Sequence, residues 1–154
     1  VSERGEEELG MEVFRLVSVV HVFLIKDGQV LLLQRANTGH HDGEYGLPAG
    51  KLDGGEPLHS AAIREVREEC GAVIAPAELT LIGTMHLRTS GDERVDFFFK
   101  AEQWTGEIHN MEPDKCDELS WFPVDALPEN IIPFVQEAWN TFKDGVWYAA
   151  HGWN

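Results

Sequence analysis

Between Gly50 and Ala72 the chain reads G-K-L-D-G-G-E-P-L-H-S-A-A-I-R-E-V-R-E-E-C-G-A, and no other stretch constrains the fold as much. Proline suits a first helical position because the N–H it lacks would be unpaired there, and glycine suits the left-handed position past a helix end. Pro57 and Gly71 therefore predict one helix over Pro57–Cys70. Within it Glu65 precedes Glu68 by three residues and Glu69 by four, which puts three carboxylates on one helical face. Like charges so spaced weaken an isolated helix by about 0.2–0.5 kcal/mol per pair unless something neutralises them. Water would do so on a solvated face balanced by Arg64 and Arg67; a bound cation would do so in a site. The context favours the cation. Glu56 stands just before Pro57, and Arg64 follows two helical turns on, where an ion pair would brace loop against helix. An all-oxygen cluster beside a glycine-rich loop suits Mg2+ or Mn2+ carrying a phosphate-containing ligand.

Gly50, Glu56, Arg64, Glu65, Val66, Glu68, Glu69 and Gly71 stand at the spacing G-x5-E-x7-R-E-U-x-E-E-x-G-U, where U is a bulky aliphatic. In this the chain resembles the Nudix hydrolase family. The last position departs, with Ala72 in place of a bulky aliphatic and Val73 next to it. The leading segment E-Y-G-L-P-A-G, Glu44 to Gly50, is similar to that of MutT-like members. The resemblance implies an α/β fold, an α/β/α sandwich with a central mixed sheet flanked by helices. It implies metal binding by Glu65, Glu68, Glu69, the backbone carbonyl of Ala49 and a loop carboxylate. Glu118 resembles that carboxylate, with Glu112, Asp114 and Asp117 as alternatives. Arg64 and Glu56 are expected to brace the loop. Crowded carboxylates must titrate apart, so one of the set is free to accept a proton; Glu68 is the expected general base, with Glu65 and Glu118 behind it.

The reaction so implied is cleavage of a nucleoside diphosphate linked to another group, foremost a (d)NTP giving NMP and pyrophosphate. A nucleotide-sugar or other nucleoside-diphosphate hydrolase is the alternative within the family. A proline that marks ADP-ribose enzymes is replaced by His86, and a tyrosine of dinucleoside polyphosphate enzymes by Arg88. A different class of reading is a non-catalytic nucleotide-sensing module. Such modules lose motif glutamates, and this chain keeps them all.

A chain of 154 residues with 43% hydrophobic content is long enough for one domain with its own core. Residues 1–10 are expected to be a flexible acidic tail, and residues 11–154 a single domain. The acidic start and the lack of an apolar run near the roughly 20 residues of a membrane span predict no leader, no membrane and a cytoplasmic place. Twenty-seven acidic against twelve basic residues give a net charge of −15, which repels nucleic-acid polymers and anionic membranes. A small polyanionic nucleotide would then need metal ions and local cations. Cys70 and Cys116 lack metal-site spacing and read as small buried hydrophobes.

Along the chain, Lys26-Asp27-Gly28 between two apolar runs, Arg15–Leu24 and Gln29–Gln34, predicts a hairpin covered by helices on both faces. The polar run Ala36–Glu44 is a loop, with His40 and His41 exposed or near substrate. Arg35 stands where the strand ends, as a substrate-contacting arginine does in MutT-like members. Tyr45 is grouped with it as a substrate-binding candidate, ahead of a short strand over Gly46–Gly50. Glu78–Arg88 and Arg94–Glu102 predict a second hairpin. There Phe97 and Phe99 share a face, which either stacks a nucleobase or fills the core. Glu118–Pro123 reads as a short strand, and Ile132–Phe142 as an amphipathic helix. The aromatic end G-V-W-Y-A-A-H-G-W-N either folds back on the core or joins a partner chain, as in a homodimer.

Overall fold

Asp27 and Gly28 both adopt positive φ, 53° and 73°, which gives the two-residue turn whose twist matches the strands it joins. That turn connects β1 (Val17–Lys26) to β2 (Gln29–Arg35). The computed structural model describes residues 12–153, so the acidic tail expected over residues 1–10 lies outside the described residues. Beyond the hairpin come β3 (Tyr45–Gly46), β4 (Ala49–Lys51), α1 (Leu58–Cys70), a 3-10 turn (Pro76–Glu78), β5 (Leu79–Thr89), β6 (Asp92–Ala101), β7 (Cys116–Pro123), α2 (Pro133–Phe142) and β8 (Tyr148–His151).

The sheet runs β3-β2-β1-β6-β5-β8, with β4 paired to β1 and β7 paired to β2. It is mixed: β1 runs parallel to β6 and β5 parallel to β8, while the remaining pairs are antiparallel. β1 and β2 stay paired only through Ile25↔Val30 and Lys26↔Gln29. Past that point β1 pairs with β4, and β2 with β3 and β7. A gap therefore opens in the sheet on the side where the motif helix packs.

Both faces are covered, as the continuous apolar runs predict. Val20, Val22, Leu24 and Leu31 pack with Ala61, Ala62, Val66 and Cys70 of α1. Phe23, Val30 and Leu32 pack with Phe134, Val135, Ala138 and Phe142 of α2. Alternate residues of one strand thus feed two cores, which is the strand period of two at work.

The structure shifts several expected boundaries. Pro57 is the residue before the helix, extended at φ −65° and ψ 158°, so the helix starts at Leu58. The short strand after Tyr45 is two strands broken at Leu47-Pro48. Ala72 is fully buried at the end of α1, while Val73 faces solvent and Ile74 supplies the missing bulk. The aromatic end folds back: β8 pairs with β5, and the Trp153 indole N–H donates to the His86 carbonyl. Both cysteines are free and buried, and burial pushes the Cys70 thiol up to about 12. Among the described residues no helix is long and apolar enough to cross a membrane.

Candidate active site

Where β1 and β2 part, a cavity of about 740 Å³ opens. Glu65, Glu68 and Glu69 of α1 line it, together with Ala49 and Gly50 of β4. Gly50 leaves the Glu65 carboxyl its place: a Cβ there would lie 2.1 Å from the carboxyl carbon and would push it aside. The Ala49 N–H donates to Glu69 Oε2 at 2.8 Å, so the last motif glutamate is tied to the strand that leads into the motif.

Arg64 gathers the rest. Its Nε and Nη2 donate to Glu56 Oε1 at 2.9 and 2.7 Å, which is the expected brace between loop and helix. Its Nη1 also reaches Glu65 Oε1 at 2.9 Å and, more weakly, Glu68 Oε2 at 3.4 Å. Glu65 keeps 14% of its side chain exposed and Glu68 keeps 52%, so Glu68 is the open member of the set.

The buried carboxyls resist ionising. Burial holds Glu69 well above the ordinary carboxylate range, and the charges of Glu65 and Glu112 add to that against the Ala49 N–H and Arg35. Burial also raises Glu65, with Glu68 and Asp53 adding and Arg64 opposing. Among the described residues no three His, Cys, Asp or Glu side chains are grouped closely enough to hold an ion as they stand. Glu65 accepts instead from Arg64 and Glu69 from the Ala49 N–H. The donor set nevertheless fits a hard divalent cation, being all oxygen and carrying crowded charge that a cation would relieve.

The loop carboxylate at the cavity is Glu112, not Glu118. Glu118 lies on β7 opposite Gln34, is exposed, and accepts from the Tyr45 hydroxyl at 2.9 Å and from Ser120 Oγ. These two bonds hold its carboxyl below the ordinary range. Tyr45 lies with it away from the cavity lining, its ring buried against Phe122 in the α2-side core. Phe97 and Phe99 lie outside the cavity lining too, on the face of β6 that packs into the core beneath α1.

Arg35 does line the cavity, and its Nε donates to the His40 carbonyl, anchoring the loop that carries His40 and His41 to the rim. Asp42 folds that loop by accepting from Thr38 N, Thr38 Oγ1 and Gly39 N. Lys51, Arg94 and Lys115 join Arg35 as cavity-lining cations, the local positive charge that a polyanion needs in a chain of net charge −15.

His21 and Asp96 were not foreseen from the sequence, nor were Lys51, Arg94 and Lys115. His21, only 4% exposed, lines the cavity, and its Nε2 lies 2.8 Å from Oδ2 of the fully buried Asp96. Arg94 donates to both Asp96 oxygens, at 3.2 and 2.9 Å, and lies over the Phe134 ring. The signal was present: a histidine inside V-S-V-V-H-V-F-L and an aspartate inside R-V-D-F-F-F interrupt strands that are otherwise apolar. Buried polar groups need partners, so two such interruptions invite pairing.

A family model described as NUDIX domain matches residues 6–144. Human 8-oxo-dGDP phosphatase NUDT18 is 32% identical over 112 residues, 71% of this chain and 33% of that protein. The NAD-capped RNA hydrolase NudC of Pseudomonas aeruginosa is 31% identical over 121 residues, 79% of this chain and 41% of its own. The uncharacterized Nudix hydrolase YvcI of Bacillus subtilis is 32% identical over 116 residues, 73% of this chain and 69% of its own. The chain thus spans well under half the length of the first two relatives. Among solved structures, a MutT NUDIX hydrolase from Burkholderia pseudomallei superposes with a TM-score of 0.75 at 28% identity, covering 82% of this chain and 98% of that one.

Proposed function

This chain belongs to the Nudix hydrolase family, and from that premise we propose that it is a metal-dependent pyrophosphohydrolase that cleaves a nucleoside diphosphate linked to another group. The preferred substrate class is a (d)NTP, split to NMP and pyrophosphate. The observation that carries this reading is the cavity itself: Glu65, Glu68 and Glu69 on one wall, Glu112 from a loop, and four cations around them.

Glu65, Glu68, Glu69, Glu112 and the Ala49 carbonyl would hold Mg2+ or Mn2+. Such an ion, when bound, supplies Lewis acidity toward phosphate oxygens and lowers the pKa of water. The chain's own groups do the rest. Arg35, Lys51 and Lys115 offset phosphate charge where the net field of the protein is repulsive. Glu68, exposed and held only by one long contact to Arg64, is the carboxylate with a side free to take a proton from water. The water oxygen attacks one phosphorus, the bridging P–O bond breaks, and its electron pair leaves with the departing phosphate. Arg64 and Glu56 keep the loop against the helix while charge moves.

The test is turnover. Purified protein with Mg2+ and a broad panel of nucleoside triphosphates and diphosphate conjugates should release pyrophosphate or a phosphomonoester, and chelation should stop it. No product from any member of the panel would remove the enzymatic reading and leave the nucleotide-sensing one.

A further inference from the structure

His21 takes no part in the chemistry just described, yet the ladder places it beside that chemistry. Ala49, His21 and Phe98 are successive partners across β4, β1 and β6. His21 therefore stands one strand spacing, about 5 Å, from the peptide that holds Glu69. Phe98 covers one face of its ring, stacked at 4.5 Å and 8°, and Phe134 meets the ring at an angle of 70°. The ring edge is what remains. On that edge Nε2 meets Asp96 Oδ2, an oxygen that already accepts from Arg94. An oxygen in that role accepts again from a ring N–H, which puts a proton on Nε2 and, in the neutral ring, leaves Nδ1 an acceptor. Among the described residues Nδ1 is the one buried side-chain nitrogen or oxygen with no hydrogen-bond partner.

Nδ1 has almost no accessible surface in this structure, so a ligand meets it only by displacing a covering side chain; a buried acceptor left bare then discriminates in favour of a ligand that brings a donor. Phosphate oxygens are acceptors and cannot supply it; the N–H groups of a nucleobase can. Ile132, Phe134 and Val135 give the same part of the cavity apolar walls, which suit a flat heterocycle. We propose that His21 is a specificity-determining residue whose Nδ1 accepts a hydrogen bond from an N–H of the substrate's nucleobase, with Asp96 and Arg94 as the positioning residues that fix its tautomer. The proposal rests on the nucleotide reading given above.

Two substitutions separate the ring atoms. His21→Gln keeps a donor for Asp96 and removes the acceptor at the δ position; His21→Asn keeps an acceptor there. Steady-state kinetics on the ribo and deoxy forms of the common nucleoside triphosphates should show the kcat/KM ratio between best and worst base falling about tenfold or more in the Gln variant. The fall should lie in KM, and the Asn variant should recover part of it. An unchanged ratio, an equal loss for every base, or a loss that follows the 2′-hydroxyl would overturn the assignment. A second readout needs neither turnover nor a folded variant. In wild-type protein labelled with 15N-histidine, the Nδ1 resonance should move on adding the nucleoside monophosphate of one base and not of the others. A resonance unmoved by all of them at saturation sinks the proposal. A moved resonance in a protein without turnover would sink only the hydrolytic reading.

Discussion

Glu65, Glu68 and Glu69, within a little over one turn of α1, have three different neighbours, and their roles divide accordingly. Glu65 is packed on Gly50 and bound by Arg64, Glu69 is held by the Ala49 N–H, and Glu68 is half in solvent. Glu68→Gln should lower kcat by about 10²- to 10⁴-fold with an unshifted melting temperature; unchanged turnover would remove the residue from the base role. Gly50→Ala puts a methyl where the Glu65 carboxyl lies, and that flexible end must swing away, so turnover should fall while urea unfolding shows little change in stability. Tyr45→Phe makes a useful contrast. It removes a hydroxyl that donates to exposed Glu118, and it should cost about 0.5–1.5 kcal/mol of stability while leaving KM unchanged.

At the scale of elements, the cavity rim depends on a loop that Asp42 folds from within and that Arg35, Asn37 and Asn130 tie to its surroundings. Hydrogen bonds from Thr38, first its hydroxyl, and from the Gly39 amide lower the Asp42 carboxyl below its ordinary value. A group depressed in the folded state contributes stability that is present above its unfolded value, about 3.9, and is lost as pH falls through the folded one. The Thr38 and Gly39 amide resonances should therefore shift in NMR on acidification below about pH 4, and Asp42→Asn should abolish that titration. The helix α1 and the first hairpin were legible because their determinants are local. A two-residue Asp-Gly turn, a glycine helix stop and an i, i+3, i+4 spacing act within a few residues. The direction of Phe97 and Phe99 was not legible, because a strand buried on both faces carries no inside-outside alternation to read.

For the whole molecule the strongest long-range force is the repulsion of a net charge of −15, which opposes compaction and is screened within about 8 Å at physiological ionic strength. Monovalent salt should accordingly raise the melting temperature between low and physiological ionic strength, as followed by calorimetry; a falling temperature would mean that close ion pairs such as Arg64–Glu56 outweigh the repulsion. The motif helix, the carboxylate face and the brace from Arg64 to Glu56 each follow from spacing along one segment. The reach of Glu112 rather than Glu118 to the cavity, the closing of the aromatic end onto β5 and the meeting of His21 with Asp96 came from the assembly of the sheet. Those outcomes join residues far apart in the chain, 75 positions for His21 and Asp96, and such contacts are fixed by strand order and register rather than by any local preference.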